Sequence, residues 1–150
     1  MKEFFKNRQK IITIVITVFA VIALILPFAL ARPATATLRF GQQTYALNIV
    51  TSKVAQERGL GDRESIARDR GMLFVFDTAA VQCFWMKDMR FPIDIIWLNS
   101  AKKVTYVAAN VAPDTYPQKF CGDASTKYVV ELNAGEAMHA GIRVGQQVSL

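Results

Sequence analysis

The sequence predicts a mainly β domain, an antiparallel sandwich or partly open barrel with two or three short helices, preceded by one N-terminal transmembrane helix. Three observations carry that prediction. Residues 37–150 divide into seven or eight short runs rich in Val, Ile, Phe, Tyr and Thr, set apart by Gly, Asn, Asp and Pro. These runs do not alternate with long helical patterns, which disfavours a doubly wound parallel sheet. Ahead of them lie 21 residues, Ile11 to Ala31, without a single charge.

As a helix, that uncharged segment extends about 31 Å, close to the roughly 30 Å of a bilayer's hydrocarbon core. Lys2, Lys6, Arg8 and Lys10 precede it and Arg32 follows, so the positive-inside rule places residues 1–10 in the cytoplasm and the rest outside. Ala29-Leu30-Ala31 and Ala34-Thr35-Ala36 have the small-x-small form of a cleavage site. The apolar run exceeds the 7–15 residues of a signal core, which favours an uncleaved anchor over a secreted product. The expected organisation is a basic tail over 1–10, an anchor over 11–31, a linker over 32–36 and an exported domain over 37–150.

Within that domain, Thr37–Phe40 and Thr44–Val50 flank Gly41-Gln42-Gln43 as a hairpin. Ser52 is placed to cap a helix running to Arg58, with Gly59 ending it. Asp62 starts a second helical turn, Arg63 to Arg68. Met72–Phe76 and Ile93–Leu98 are continuous apolar runs, the pattern of strands buried on both faces. Val81–Lys87, Val104–Val111 and Lys127–Leu132 are further strands, and Pro113–Ala124 is a loop. Gly135–Ala140 reads as a short helix closed by Gly141, and Gln147–Leu150 as a last strand.

Charge narrows the function. The chain holds 18 basic against 12 acidic residues, a formal +6. Residues 1–10 account for +3 and Arg32 for one more; residues 33–150 carry 13 basic and 11 acidic groups. No basic face is left for a nucleic acid, and none is expected as a partner. The two cysteines, Cys83 and Cys121, both fall in the exported part, where a lone pair forms a disulfide. Two free buried thiols are the alternative. Metal is not expected, because His139 is the only histidine and no Cys-x-x-Cys occurs. Phosphate-loop, dinucleotide, zinc-protease and serine-hydrolase motifs are also missing, so no cofactor is expected.

The densest chemistry lies in Cys83–Trp97, where two tryptophans, Lys87, Arg90, Asp88 and Asp94 sit among apolar residues. An ionisable group there must be paired or hydrogen-bonded. Lys87 or Arg90 with Asp94 meets that need as a structural pair. Alternatively, Trp85, Met86, Lys87, Asp94 and Trp97 line a ligand cleft, aromatic walls with a few polar groups being how small-molecule sites are built. Arg58, Arg63, Arg68 and Arg70 interleave with Glu57, Asp62, Glu64 and Asp69 as a solvated face, with one or two arginines available to an anion. Asp88, Asp94, Asp114, Asp123, Glu131 and Glu136 are the carboxylates from which a hydrolytic pair could be drawn.

Several of these stretches come in a recognisable order. They are Glu57-Arg58-Gly59-Leu60, Arg63-Glu64-Ser65, Arg70 to Phe76, Phe84-Trp85-Met86-Lys87, Pro92 to Ile96 and Tyr128 to Gly135. The chain resembles the domain of unknown function 192 family over about residues 37–150. The resemblance implies a mainly β, sandwich-like domain, often behind a signal or membrane segment, and no established activity. Its motif positions are Arg58, Arg63, Trp85, Met86, Lys87, Pro92, Asp94 and Glu131, without assigned roles. The family's common Asn-Thr after the lysine is Asp88-Met89 here, and its usual Met after Gly-Leu is Gly61.

The expected function is a membrane-tethered extracytoplasmic module that binds a small envelope ligand such as a saccharide or wall fragment. The ligand-binding candidates are Trp85, Met86, Lys87, Asp94, Trp97, Arg58 and Arg63. A structural or protein-interaction domain is the first alternative, and a carboxylate-dependent envelope hydrolase, using for example Asp88 and Asp94, is the second.

Overall fold

The structure, a computed structural model, describes residues 2–29 and 34–150, with side chains placed for 7, 8 and 10–24 of the first segment. The chain forms two compact units, 1–33 and 34–150. In the first, α1 (Lys2–Ala29) is a helix of 28 residues. Among the described residues no helix is long and apolar enough to cross a membrane. Leu30 and Ala31 of the expected anchor, and Arg32 and Pro33 of the expected linker, lie outside the described residues.

The second unit opens with β1 (Thr35–Phe40) and β2 (Gln43–Val50), an antiparallel hairpin whose turn needs the positive φ of Gly41. Its first strand begins inside the expected linker. Ser52 Oγ then accepts from Ala55 N at 3.3 Å and starts α2 (Lys53–Arg58). Gly59 ends that helix at φ +52°, as its place after Arg58 predicts. There follow β3 (Arg70–Val75), β4 (Cys83–Phe84), β5 (Ile93–Asn99), β6 (Val104–Val111), a 3-10 turn at Pro113–Thr115, β7 (Phe120–Cys121), β8 (Thr126–Asn133) and α3 (Glu136–His139).

Six strands make one sheet in the order β1-β2-β3-β8-β5-β6, and β4 and β7 pair as a separate ribbon. The sheet is mixed, which corrects the antiparallel expectation: β2 and β3 run parallel. Between them the chain crosses over through α2 and residues 59–69 and returns in the same direction. The helical turn expected over Arg63–Arg68 does not form. Asn133 Nδ2 instead donates to Ile66 O and Ala67 O, at 3.2 and 3.0 Å, and holds that segment irregular. Val81–Lys87 is strand only at Cys83–Phe84, and the expected 113–124 loop contains its partner strand β7. No closed barrel forms among the described residues. The final residues contribute only isolated bridges, Ser149 to Arg39 and Gln147 to Lys103.

Strands β3, β8 and β5 lie in the middle of the sheet and are buried on both faces, as the continuous apolar runs of β3 and β5 predict. One face packs Tyr45, Leu47, Leu73, Ile96 and Val130 under α3 and the C-terminal residues. The other packs Met72, Phe74, Ile95, Trp97 and Val129 under Leu60 and Met86. This second face carries the candidate site.

Candidate functional site

A cavity of about 310 Å³ opens where the Gly59 turn, the β4–β7 ribbon and the second face of the sheet meet. Its position follows from three local features. First, Gln56 Nε2 donates to Val75 O at 2.9 Å and ties α2 to the end of β3. Second, the Gly59 turn passes close over the sheet. A Cβ on Gly59 would lie 3.5 Å from the Phe74 ring and 3.8 Å from Glu131 Oε2, and its φ disfavours any side chain. Third, the ribbon is stapled by the Cys83–Cys121 disulfide, with Cα atoms 4.0 Å apart.

The ribbon is held to the sheet by aromatic packing. Phe84 sets its edge against Phe74 at 4.8 Å and against Trp97 at 5.9 Å. Trp97 is fully buried, and its indole N–H donates to Gln82 O at 2.9 Å. Gly122 permits the fit, since a Cβ there would stand 2.3 Å from the Trp97 ring. Trp85, next along from the ribbon, is 44% exposed. Its ring meets Tyr116 at 5.9 Å and carries Lys119 Nζ 5.0 Å from its centre.

The cavity walls are mainly apolar and aromatic, from Leu60, Phe74, Phe76, Phe84, Trp85 and Met89. Lys53, Arg58, Lys87 and Lys119 also line it, all four exposed, and none is in a salt bridge among the described residues. Glu131 lies on β8 between Met72 and Ile95. It is 5% exposed, and its Oε2 has no hydrogen-bond partner. Burial pushes its carboxyl up to about 8, against a smaller downward pull from the Arg63 charge. At neutral pH it is therefore mainly protonated and can donate one hydrogen bond into the cavity.

Of the residues expected at a ligand cleft, Arg58, Trp85 and Lys87 line this cavity. Met86 and Trp97 are buried beneath it, and Arg63 acts on it only through its charge. Asp94 belongs to the opposite face. It is fully buried, with Oδ1 accepting from Asn110 N and Oδ2 from Ala137 N, both at 2.7 Å. Asn110 stands at φ +53° beside a register shift in the β5–β6 pairing, and Ala137 is in the first turn of α3. Asp94 thus fixes the bulge and the helix to one strand. It needs no cation, and the expected pairing with Lys87 or Arg90 is replaced by these backbone amides. Arg90 pairs with Glu64 instead. Asp94 does not line the cavity, so it forms no catalytic pair with Asp88 there.

Glu131 stands in the sequence only as a motif position and one of six candidate carboxylates, and not among the expected ligand-binding residues. Lys127–Leu132 reads in sequence as a strand without a stated neighbour, whereas β8 lies between β3 and β5 and is covered on both sides. The available signal was an acid flanked by Val129, Val130 and Leu132, the same reasoning that singled out Asp94.

A second, polar cavity of about 280 Å³ lies by α3, lined by Gln43, Thr44, Tyr45, Arg68, Asp69, Glu136 and His139. There Glu136 accepts from Tyr45 Oη at 2.9 Å and from Arg68 Nε at 2.7 Å. Burial alone would raise the Glu136 carboxyl, but these bonds and the Arg68 charge outweigh it and hold the group below the usual carboxylate range. Burial and the Glu136 contact push the Tyr45 hydroxyl well up. Glu136 and Tyr45 satisfy each other here, and His139 is exposed. Among the described residues no cluster of His, Cys, Asp and Glu could hold a metal ion.

The profile described as "DUF192: Uncharacterized ACR" matches residues 36–150. The chain belongs to that family. Two solved structures share its fold. One is a protein of unknown function from Novosphingobium aromaticivorans DSM 12444, 24% identical, with a TM-score of 0.70 over 81% of this chain and 94% of that one. The other, from Sinorhizobium meliloti 1021 and described as a proposed transcription regulator, is 24% identical, with a TM-score of 0.73 over 79% of this chain and 95% of that one. No curated protein matches the chain.

Proposed function

We propose that this protein is a membrane-tethered extracytoplasmic module that binds a small envelope ligand, a saccharide or wall fragment, in the cavity beside the disulfide ribbon. One observation carries the reading: Glu131 Oε2 is buried at an aromatic-walled cavity without a partner. Leaving such a group unsatisfied costs about 1–3 kcal/mol, a cost that packing alone does not explain and a bound ligand removes. Trp85, half-exposed at the same cavity, offers a ring on which a sugar can stack.

The cellular placement rests on separate support. In α1, Ile11, Ile14, Ile16, Phe19 and Leu24 are all more than half exposed, and a helix whose residues 11–29 carry no charge and expose such side chains needs an apolar surrounding. The basic residues before it favour a cytoplasmic N-terminus. The disulfide favours an oxidising compartment for the domain.

Two experiments test the reading. Titrating the full chain in detergent micelles with monosaccharides and solubilised wall fragments, followed by NMR, should shift resonances around Phe84, Trp85 and Lys87, and Trp85→Ala should abolish the shifts. Absence of binding by every saccharide and fragment would end the proposal. For placement, alkaline phosphatase fused after Leu150 should be active in intact cells; an inactive fusion would put the domain on the wrong side of the membrane.

A further inference from the structure

The charge of the domain is concentrated at the cavity. Lys53, Arg58, Lys87 and Lys119 line it against Glu57 as the one exposed acid, whereas residues 33–150 as a whole hold 13 basic and 11 acidic groups. With the four cavity cations and the two cavity acids, Glu57 and Glu131, set aside, the remainder of the domain holds nine basic and nine acidic groups and is neutral, so the positive field is focused on one opening. The inner surface differs in kind. There, apolar rings surround one carboxyl oxygen without a partner. A ligand that satisfies both ends must present a hydrogen-bond acceptor beside an apolar group on the inside, and a negative charge at the mouth. An acyl group meets the inner requirement, its carbonyl accepting a bond while its alkyl end packs against Phe74 and Phe84.

We propose that the cavity takes an acylated, anionic monosaccharide, its acyl carbonyl accepting a hydrogen bond from Glu131 and its carboxylate or phosphate held by Lys53, Arg58, Lys87 and Lys119. This rests on the saccharide-binding reading above and narrows it to one chemical class. The protonated state of Glu131 at neutral pH supplies the donor. The charged groups around Glu131 are Arg63 together with Lys53, Glu57, Arg58, Lys87 and Lys119. The net positive surroundings do not hold the carboxyl in its ionised form below about 8.

The test is calorimetric titration of the full chain in detergent micelles with four probes. N-acetylmuramic acid and N-acetylglucosamine 1-phosphate are acylated and anionic, N-acetylglucosamine is acylated and neutral, and glucose is neither. Both anions are expected to bind about tenfold or more tightly over N-acetylglucosamine, the size of effect that one or two charge-assisted bonds supply. Whichever anion binds the tighter identifies carboxylate or phosphate as the native group. Lys87→Gln combined with Lys119→Gln should remove most of that preference. Raising the pH from 6.5 to 9 should weaken binding by wild type as Glu131 ionises. Glu131→Gln, which keeps a donor, should bind at both pH values alike. Equal affinity for N-acetylglucosamine and the two anions would overturn the charge assignment, and equal affinity for glucose and N-acetylglucosamine would overturn the acyl assignment. Failure of all four probes, with wall fragments also failing, would remove the saccharide reading itself.

Discussion

The two faces of the six-stranded sheet each bury a carboxylate on a central strand, and they treat it in opposite ways. On the face under α3, both oxygens of Asp94 accept backbone amides at 2.7 Å. On the face under the disulfide ribbon, Glu131 Oε2 accepts nothing. Depth does not separate them, since Asp94 is fully buried and Glu131 is 5% exposed. Partners do. A buried acid with its acceptors filled organises a fold, whereas one left open toward a cavity is a free valence. Conspicuous residues on a strand are therefore sorted by what their atoms touch, not by how improbable they look in sequence.

The comparison breaks most visibly at Asp94. Asp94→Ala leaves the buried Ala137 amide and the part-buried Asn110 amide without acceptors and frees both the β6 bulge and the start of α3, so thermal unfolding should show a loss of about 2–4 kcal/mol. An unchanged melting temperature would remove the distinction between the faces. Similar in size is the staple of the other face. Cys83→Ser with Cys121→Ser should cost about 2–4 kcal/mol in chemical denaturation and loosen the ribbon that carries Phe84.

Glu131 sharpens the contrast through pH. Its folded carboxyl titrates near 8, above the 4.5 of an unperturbed glutamate, so the folded state holds its proton where the unfolded state has lost it. Stability is then highest below about pH 4.5 as far as this group is concerned, and declines as pH rises through 8. Melting scans between pH 5 and 9 should show that decline in wild type and lose most of it in Glu131→Gln. The smallest effect belongs to the polar cluster by α3. The Glu136 carboxyl is depressed on folding, so its contribution is present above the unfolded value near 4.5 and is lost as pH falls. Arg68→Ala should lower the melting temperature only slightly at pH 7, and less in high salt, because the arginine side chain is 71% exposed.

Much of the domain is legible in local sequence because local rules decide it. The Gly41 turn, the Ser52 cap, the Gly59 stop and the continuous runs in β3 and β5 each follow from residues within a few positions of one another. The parallel pairing of β2 and β3 does not. It depends on residues 59–69 crossing without regular structure, and that irregularity is fixed by Asn133, 67 residues from Ile66. Of the cleft, Trp85 and Lys87 were legible in the dense Cys83–Trp97 stretch, and Arg58 in the charged cluster before β3. Glu131 was legible as a motif position and a carboxylate but not as part of the cleft, because its burial comes from strands β3 and β5 on either side of β8.

The last few residues have a consequence for association between molecules. Ser149 bridges the edge strand β1 at Arg39, and Gln147 bridges Lys103 at the start of the opposite edge strand, β6. Arg39 N donates to Ser149 O at 3.0 Å and Val148 N to Lys102 O at 3.0 Å. Open strand edges invite pairing with another chain. By occupying amides and carbonyls on both margins with its own backbone, the segment acts as a guard against edge-to-edge aggregation. A tag that pulls residues 147–150 away would expose both margins at once and turn a well-behaved domain into a sticky one.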